Sequence, residues 1–558
     1  MSKLRIGRFA CILSVLMFST PMLLPLAGSD RTKPAKAAEE RPEPKEITSI
    51  VYRIIANEWK VRIKLEEFSP RVETYVQYVR QDPELGGVPR KDAYFLGQLK
   101  FAEGAKEASF IPDSGLSWVA TLRPNLHLDQ FAVEPLVVDE TNFDRQHYTF
   151  EPIRWEYLGD IRCLAIDVHP RGHPGVGAFE GRIWVEDHDY AIVRLNGTRI
   201  HPPRRNFYVH FDCWRENLQP GLWLPVYIYS QESDLGERLR YKSETRLWGY
   251  DLNAHHQQQE WTKIMVDAPA PIHDSSEVAS DLSPVESTRQ LTIEAERNVL
   301  DRLEKARLIA PPGPVDKVLE TVVTNLRVTN HLDNLPPIQC RVMLTSSLES
   351  FSLAYTIVLS RGLIDVLPDE SSLAMILAHE LAHIALGQKL DTKYAFNDRL
   401  QTTDEGLLAS LDIARDRNDE FAADAKGVDF LKNSPYKDNL GQAGLFLRAV
   451  GASAPHAPHL FGPHLGNGLT EGDDKLIRMA ILINGSPALS ARNTNQIAAL
   501  PLGSRVQVNA WDGTVFFTTR KAVPIVDATE KMPFQVTPVV PYLKTYTQTP
   551  KVEVSSNN

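Results

Sequence analysis

Cysteine is scarce, with four residues in a chain of 558. That is too few for a disulfide-built scaffold or a multi-cysteine metal cluster. Long Lys/Arg runs are also missing, and 61 basic residues against 71 acidic ones leave a net charge of −10. Nucleic acid is therefore not an expected partner. Beyond the N-terminus no apolar stretch approaches the roughly 18 residues that a spanning helix needs, which disfavours a polytopic membrane protein. Internal repeats are lacking too. What remains is ordinary globular composition, 43% hydrophobic and 24% charged, in a chain long enough for about three or four domains.

The N-terminus reads as an export signal. Lys3, Arg5 and Arg8 precede an apolar stretch from Phe9 to Gly28, interrupted by Pro21 and Pro25. A basic head before an apolar segment is the pattern of a secretory signal, and the prolines argue against a stable membrane helix. Ala35-Lys36-Ala37 offers a cleavage site, so residues 1–37 are expected to be a signal peptide of a periplasmic or other extracytoplasmic protein. An uncleaved N-terminal anchor, with association at a membrane surface, is the alternative.

The expected fold class is a multidomain α+β chain. Residues 38–46 read as a flexible leader and 47–266 as a β-rich domain. Arg182–Glu186 with Tyr190–Arg194, and Leu222–Tyr229 with Arg238–Lys242, read as hairpins with one wet face. Residues 267–284, rich in Pro, Asp and Ser, read as a linker, and 285–500 as a mainly helical domain. A small β-rich tail (501–545) and a disordered end (546–558) follow. The Gly181–Arg194 hairpin and the strand order resemble the half-barrels of LolA/LppX-type lipoprotein carriers. That resemblance implies a sheet with an apolar concave face, formed here by Trp184, Tyr190, Ile192, Trp223, Tyr227 and Tyr229. The other reading is that these aromatics form the domain's own core. Cys163 and Cys213 lie on expected strands, either paired or as two buried thiols.

The chemistry is concentrated in Asp369–Gly387. Pro368 and Asp369 supply helix start signals and Gly387 a stop. Between Leu373 and Leu386 the only polar side chains are His379, Glu380 and His383. A helix apolar all round is expected to be buried, and three buried ionisable groups need strong partners. His379 and His383 are one turn apart on one face, so both imidazoles can reach one zinc ion. This is the HExxH arrangement, in which Glu380 is the general base. A third protein ligand is required. The candidate lies in Asp416–Leu431, where Glu420 and Asp424 share a helix face. Glu420 can complete a His/His/Glu site, and Asp424 can accept a hydrogen bond from a ligand histidine. Ala422, Ala423 and Gly427 would let the two helices approach closely.

His379-Glu380-Leu-Ala-His383 followed by Glu420-Phe-Ala-Ala-Asp424 resembles the gluzincin family of HtpX, BepA and the CaaX prenyl proteases, over about 285–480. The resemblance implies one zinc ion per chain on His379, His383 and Glu420, with Glu380 as base. Arg361–Ile364 matches the family's approach to the site. Glu349-Ser-Phe-Ser352 stands where the family usually has Asn-Ala-Phe-Ala. Relatives pair an edge strand here with substrate, a role expected of Tyr355–Ser360. Relatives also hold the oxyanion with a late His and Arg, for which His464 and Arg478 are the candidates among His456, His459 and His464.

Two functions compete. One is a zinc endopeptidase of the cell envelope acting in protein quality control on protein or peptide substrates, misfolded envelope proteins or lipoproteins among them. The other is a non-enzymatic lipid- or lipoprotein-binding adaptor with a structural zinc site. Glu380 favours the enzyme, because a structural site needs no base beside its ligands.

Overall fold

The computed structural model describes residues 44–82, 86–101, 106–111, 129–172, 175, 177–200, 207–234, 239–251, 284–388, 408, 411, 413, 415–471, 476–490, 493, 496, 505–518 and 534–547. The expected signal peptide, nearly all of the leader and linker, and the chain end beyond 547 lie outside them.

The described chain opens on a helix, α1 (Pro44–Leu65), where the leader and first strands were expected. Its Ile, Val and Tyr content favours a strand locally. However, Ile50, Ile54, Glu58, Val61 and Leu65 recur every three or four residues and are all buried. Tertiary burial of that stripe outweighs the local preference, and Pro44 fits the first helical turn.

Ten strands follow: β1 (Arg71–Asp82), β2 (Gly86–Lys100), β3 (Lys106–Ser109), β4 (Tyr148–Leu158), β5 (Ile161–Pro170), β6 (Phe179–Glu186), β7 (Ile192–Arg199), β8 (Phe207–Gln219), β9 (Leu222–Asp234) and β10 (Leu239–Trp248). They form one antiparallel sheet in the order β3-β2-β1-β10-β9-β8-β7-β6-β5-β4. Two meanders meet where β1 pairs with β10, and the outer strands β3 and β4 do not close on each other. The sheet is thus an open half-barrel. The two expected hairpins are β6–β7 and β9–β10.

The central strands are not wet on one face. Nearly every residue of β1 from Arg71 to Val79, of β2 from Asp92 to Leu99 and of β9 from Trp223 to Ser230 is buried. The reason is cover from both sides. Helix α1 packs across β7 and β9, while the helical half and the late segment 534–546 lie against β1, β2 and β9. Gln77 acts there as a strand surrogate, its amide donating to Phe534 O at 2.6 Å and accepting from Val536 N at 2.8 Å. Trp184, Ile192, Trp223, Tyr227 and Tyr229 belong to the buried core. Cys163 on β5 and Cys213 on β8 are free, buried thiols with β6 and β7 between them. Three strand spacings, about 14 Å, exceed the roughly 7 Å that a disulfide can span between Cα atoms.

The helical half contains α2 (Pro284–Lys305), α3 (Pro314–Thr329), α4 (Arg361–Val366), α5 (Glu370–Leu386), α6 (Arg417–Lys432) and α7 (Leu440–Ser453). It also holds a small sheet, β11 (Gln339–Met343), β12 (Glu349–Leu353), β13 (Thr356–Ser360) and β14 (Asn467–Gly468), in the order β11-β13-β12-β14. Further along come the two-stranded pairs β15 (Thr470–Glu471) with β16 (Leu476–Ile477), and β17 (Val506–Val508) with β18 (Val515–Phe517). β13 is paired on both sides, so Tyr355–Ser360 cannot offer a free edge. β12 lies between β13 and the two-residue β14, which pairs with it at Glu349 and Ser350, so only Phe351–Leu353 lie beyond that pairing.

Buried polar groups tie these parts together. Glu58 of α1 and Arg215 of β8 form a bidentate pair at 2.6 and 2.8 Å. Glu58 also accepts from Val138 N, and Arg215 donates to Leu136 O. Arg215 is fully buried. Removing one member of such a pair strands a charge away from water, at a cost of about 3–5 kcal/mol. Arg215→Ala should lower stability by that amount in chemical denaturation. Arg215→Met combined with Glu58→Gln should lose much less, as a double-mutant cycle reads directly.

Candidate metal centre

Helix α5 is built as a buried rod. The Asp369 side chain accepts from Ser372 N at 2.8 Å to start it, and Gly387 ends it at φ +65°. All residues from Ala374 to Ile384 are buried, His379, Glu380 and His383 included. Helix α6 starts at an Asp416 cap and lies directly on α5. Gly427 permits this, because a Cβ there would come within 3.1 Å of the His379 backbone.

The two helices bring three donor atoms to one point. His379 Nε2 lies 3.1 Å from His383 Nε2 and 3.4 Å from Glu420 Oε2, and His383 Nε2 lies 3.6 Å from Glu420 Oε2. Ligand bonds of about 2.0–2.1 Å in tetrahedral geometry give edges of about 3.3–3.4 Å. The triangle therefore fits a divalent metal ion of that kind. Glu380 Oε2 is buried and, among the described residues, has no hydrogen-bond partner.

Each ligand is held from behind. Asp424 Oδ1 lies 2.9 Å from His379 Nδ1, and Gln388 Oε1 lies 2.6 Å from His383 Nδ1. In neutral rings both contacts favour a proton on Nδ1, which turns the Nε2 lone pairs to the centre. Gln388 is in turn anchored by donation to Asp419 O. Arg478 grips Asp424 with two hydrogen bonds of 2.9 Å, donates to Glu420 O and meets Glu420 Oε2 at 2.5 Å. Ser350 on β12 donates to Glu380 Oε1 at 2.6 Å. Asn467 on β14 has Nδ2 3.4 Å from Glu380 Oε1 and 3.4 Å from His383 Nε2.

The structure thus brings His379, Glu380, His383, Glu420, Asp424 and Arg478 together. His464 is placed differently. Its ring stacks on Tyr94 at 4.6 Å, and its Nε2 pairs with His459 O. His459 itself binds Asp92 on β2, and His456 is exposed. Ser350, Asn467 and Gln388 carried no signal that singled them out, except that Ser350 stands in the stretch departing from Asn-Ala-Phe-Ala. The outer side of β12 is occupied as well. Arg415 donates to Ser352 O at 2.7 Å, and the Glu296 carboxylate of α2 accepts from Ala354 N.

Electrostatics follow from the contacts. Burial opposes charge on His379, but the Asp424 and Glu420 carboxylates outweigh it and lift its pKa to about 9. Burial likewise opposes charge on Glu420, yet hydrogen bonds to His379 and His383 and the Arg478 charge hold its carboxyl well below the usual range. A metal ion requires neutral imidazoles. In the metal-free protein His379 must therefore lose a proton that it holds up to about pH 9. Zinc affinity should rise about tenfold between pH 7 and pH 8. Chelator-competition titrations, corrected for the chelator's own protonation, measure this; an affinity that does not change with pH would contradict it.

The model of peptidase family M48 matches residues 316–402, a stretch that includes His379, Glu380 and His383 and stops short of Glu420. No curated protein sequence matches the chain. Solved structures similar to it include a DUF1329 family protein from Desulfovibrio piger, 10% identical, covering 35% of this chain and 90% of that one, with a TM-score of 0.18. Another is a putative outer membrane lipoprotein-sorting protein domain from Vibrio parahaemolyticus, 7% identical, covering 35% and 91% respectively, with a TM-score of 0.19. The segment that carries the two histidines and Glu380 is similar to peptidase family M48.

Proposed function

We propose that this protein is a zinc-dependent endopeptidase of the cell envelope, holding one zinc ion per chain and hydrolysing peptide bonds in exported proteins. The observation that carries the reading is Glu380: a fully buried carboxylate beside the donor triangle, with one oxygen held by Ser350 and the other without a hydrogen-bond partner among the described residues. A structural metal site gives no reason to bury a carboxylate in that way. A zinc ion on His379, His383 and Glu420 would supply Lewis acidity to the site.

The chain's own groups do the rest. Ser350 fixes the Glu380 carboxylate beside the centre, with Oε1 4.0 Å from His379 Nε2. There it can take the proton of the attacking water and return it to the nitrogen of the leaving amine. Asp424 and Gln388 keep the two imidazole rings in the ligand tautomer, and Arg478 holds Asp424 in place. The stretch of β12 beyond its β14 pairing, Phe351–Leu353, is where an extended peptide backbone would lie, replacing the Arg415 and Glu296 side chains. The export pattern of residues 1–37 supports envelope substrates, misfolded proteins and lipoproteins among them. The adaptor reading is less well supported, because five of the six aromatic and aliphatic residues named for a binding face are buried in the core.

Glu380→Gln tests the proposal. The variant should fold, keep its zinc by elemental analysis and lose cleavage of an unfolded protein substrate by about 10²–10⁴-fold. Undiminished cleavage would move the activity elsewhere. Retention of stoichiometric zinc in His379→Ala/His383→Ala would remove the metal site itself.

A further inference from the structure

Asn467 has no part in the reading above, yet its carboxamide is next to both the base and a ligand. Nδ2 lies 3.4 Å from Glu380 Oε1 and 3.4 Å from His383 Nε2. The residue is buried at 7% exposure. Neither neighbour satisfies it well. Glu380 Oε1 already accepts from Ser350 at 2.6 Å, and the His383 Nε2 lone pair points to the metal position. Asn467 thus presents an N–H, at the long end of hydrogen-bond distance from both, to the space where a substrate carbonyl would sit.

The strand that carries it is firmly held. Asn467 pairs with Ser350 across β14 and β12. The preceding loop is pinned by a buried carboxylate, since Glu349 Oε2 accepts from the backbone N–H groups of His464, Leu465 and Gly466. A second carboxylate, Asp92 from the large sheet, accepts from His459 N and Leu460 N. A neutral donor fixed in this way needs little reorganisation when charge develops near it. The two residues that the resemblance offered for this task are engaged elsewhere. His464 is stacked on Tyr94 with its Nε2 at a backbone carbonyl, and the Arg478 guanidinium is bound to Asp424 and Glu420.

We infer that Asn467 is the catalytic hydrogen-bond donor to the scissile carbonyl oxygen as that oxygen gains negative charge. The inference rests on the peptidase reading above. It makes Asn467 a transition-state residue, distinct from the base and from the metal ligands.

The test uses the zinc-loaded full chain and a quenched-fluorescence peptide that the wild type cleaves. Asn467→Ala should lower kcat by about 10²–10³-fold, the usual loss for one oxyanion donor. KM should stay within a few-fold and zinc content should not change. Asn467→Asp keeps the side-chain shape and the β14 pairing but loses the donor, and its kcat should fall at least as far. The second readout is binding: calorimetric affinity for a phosphinic peptide, which mimics the tetrahedral state, should fall in both variants in step with kcat/KM. Affinity for the cleaved product peptide should not. Wild-type kcat and phosphinic affinity in Asn467→Asp would overturn the role while leaving the peptidase reading intact. A wild type that neither cleaves nor binds the phosphinic peptide would overturn both.

Discussion

Burying ionisable groups inside an apolar helix is the constraint on which the rest of the structure depends. His379, Glu380 and His383 lie buried on α5, and α5 supplies nothing to compensate them. Helix α6 answers with Glu420 and Asp424, and the strand β16 leads to Arg478. With both imidazoles neutral, the cluster holds three carboxylates and one guanidinium, an excess of two negative charges. A divalent cation cancels that excess. Without the ion, His379 takes up a proton instead, which is why its pKa rises. The close approach at Gly427 follows from the same need, because the compensating carboxylates must come within a few ångströms to be effective in a low-dielectric interior.

A second set of buried carboxylates joins the large sheet to this centre. Glu73 on β1 accepts from Tyr94 Oη at 2.6 Å and from Ser346 N and Oγ at 2.5 and 2.7 Å, and it faces Arg361 of α4. Asp92 on β2 accepts from the backbone at His459 and Leu460. Glu349 gathers the amides of 464–466. Each carboxylate is saturated by directional donors, so each sets a position and not merely an attraction. The loop between α7 and β14 is caught between two of them. The sheet therefore contributes to the geometry at Glu380 through these carboxylates.

Much of this was legible in the sequence, and the boundary of legibility is physical. The His379/Glu380/His383 spacing on a capped, apolar helix is a local pattern, and local patterns survive without the fold. Glu420 and Asp424 were reachable because they too share one helix face. Ser350, Gln388 and Asn467 were not, since each acts through a contact fixed by tertiary packing: a strand crossing under a helix, a residue just past a helix end, a two-residue strand. Helix α1 was hidden for the opposite reason. Its β-branched content suggested strands, and only its burial stripe, opposite β7 and β9, reveals the helix. The expected edge at Tyr355–Ser360 failed because β11 comes from earlier in the chain and pairs in parallel with β13, a non-local pairing with no sequence mark.

The same reasoning explains the character of the sheet. Its Trp184, Trp223, Tyr227 and Tyr229 are buried, with Trp184 Nε1 donating to Glu156 and the Tyr227 hydroxyl reaching the backbone of the late segment. Its outer strand β4 carries Pro152, Glu151, Arg154 and Glu156, and charges and proline on an edge discourage pairing with another chain. Its central strands are covered on both faces, which makes buried polar residues such as Glu73, Gln77 and Asp92 tolerable, because each meets a partner from the helical half or the late segment. Polar residues at those positions would be errors in a free-standing half-barrel. In this chain they are the contacts through which the sheet holds the helical half in place.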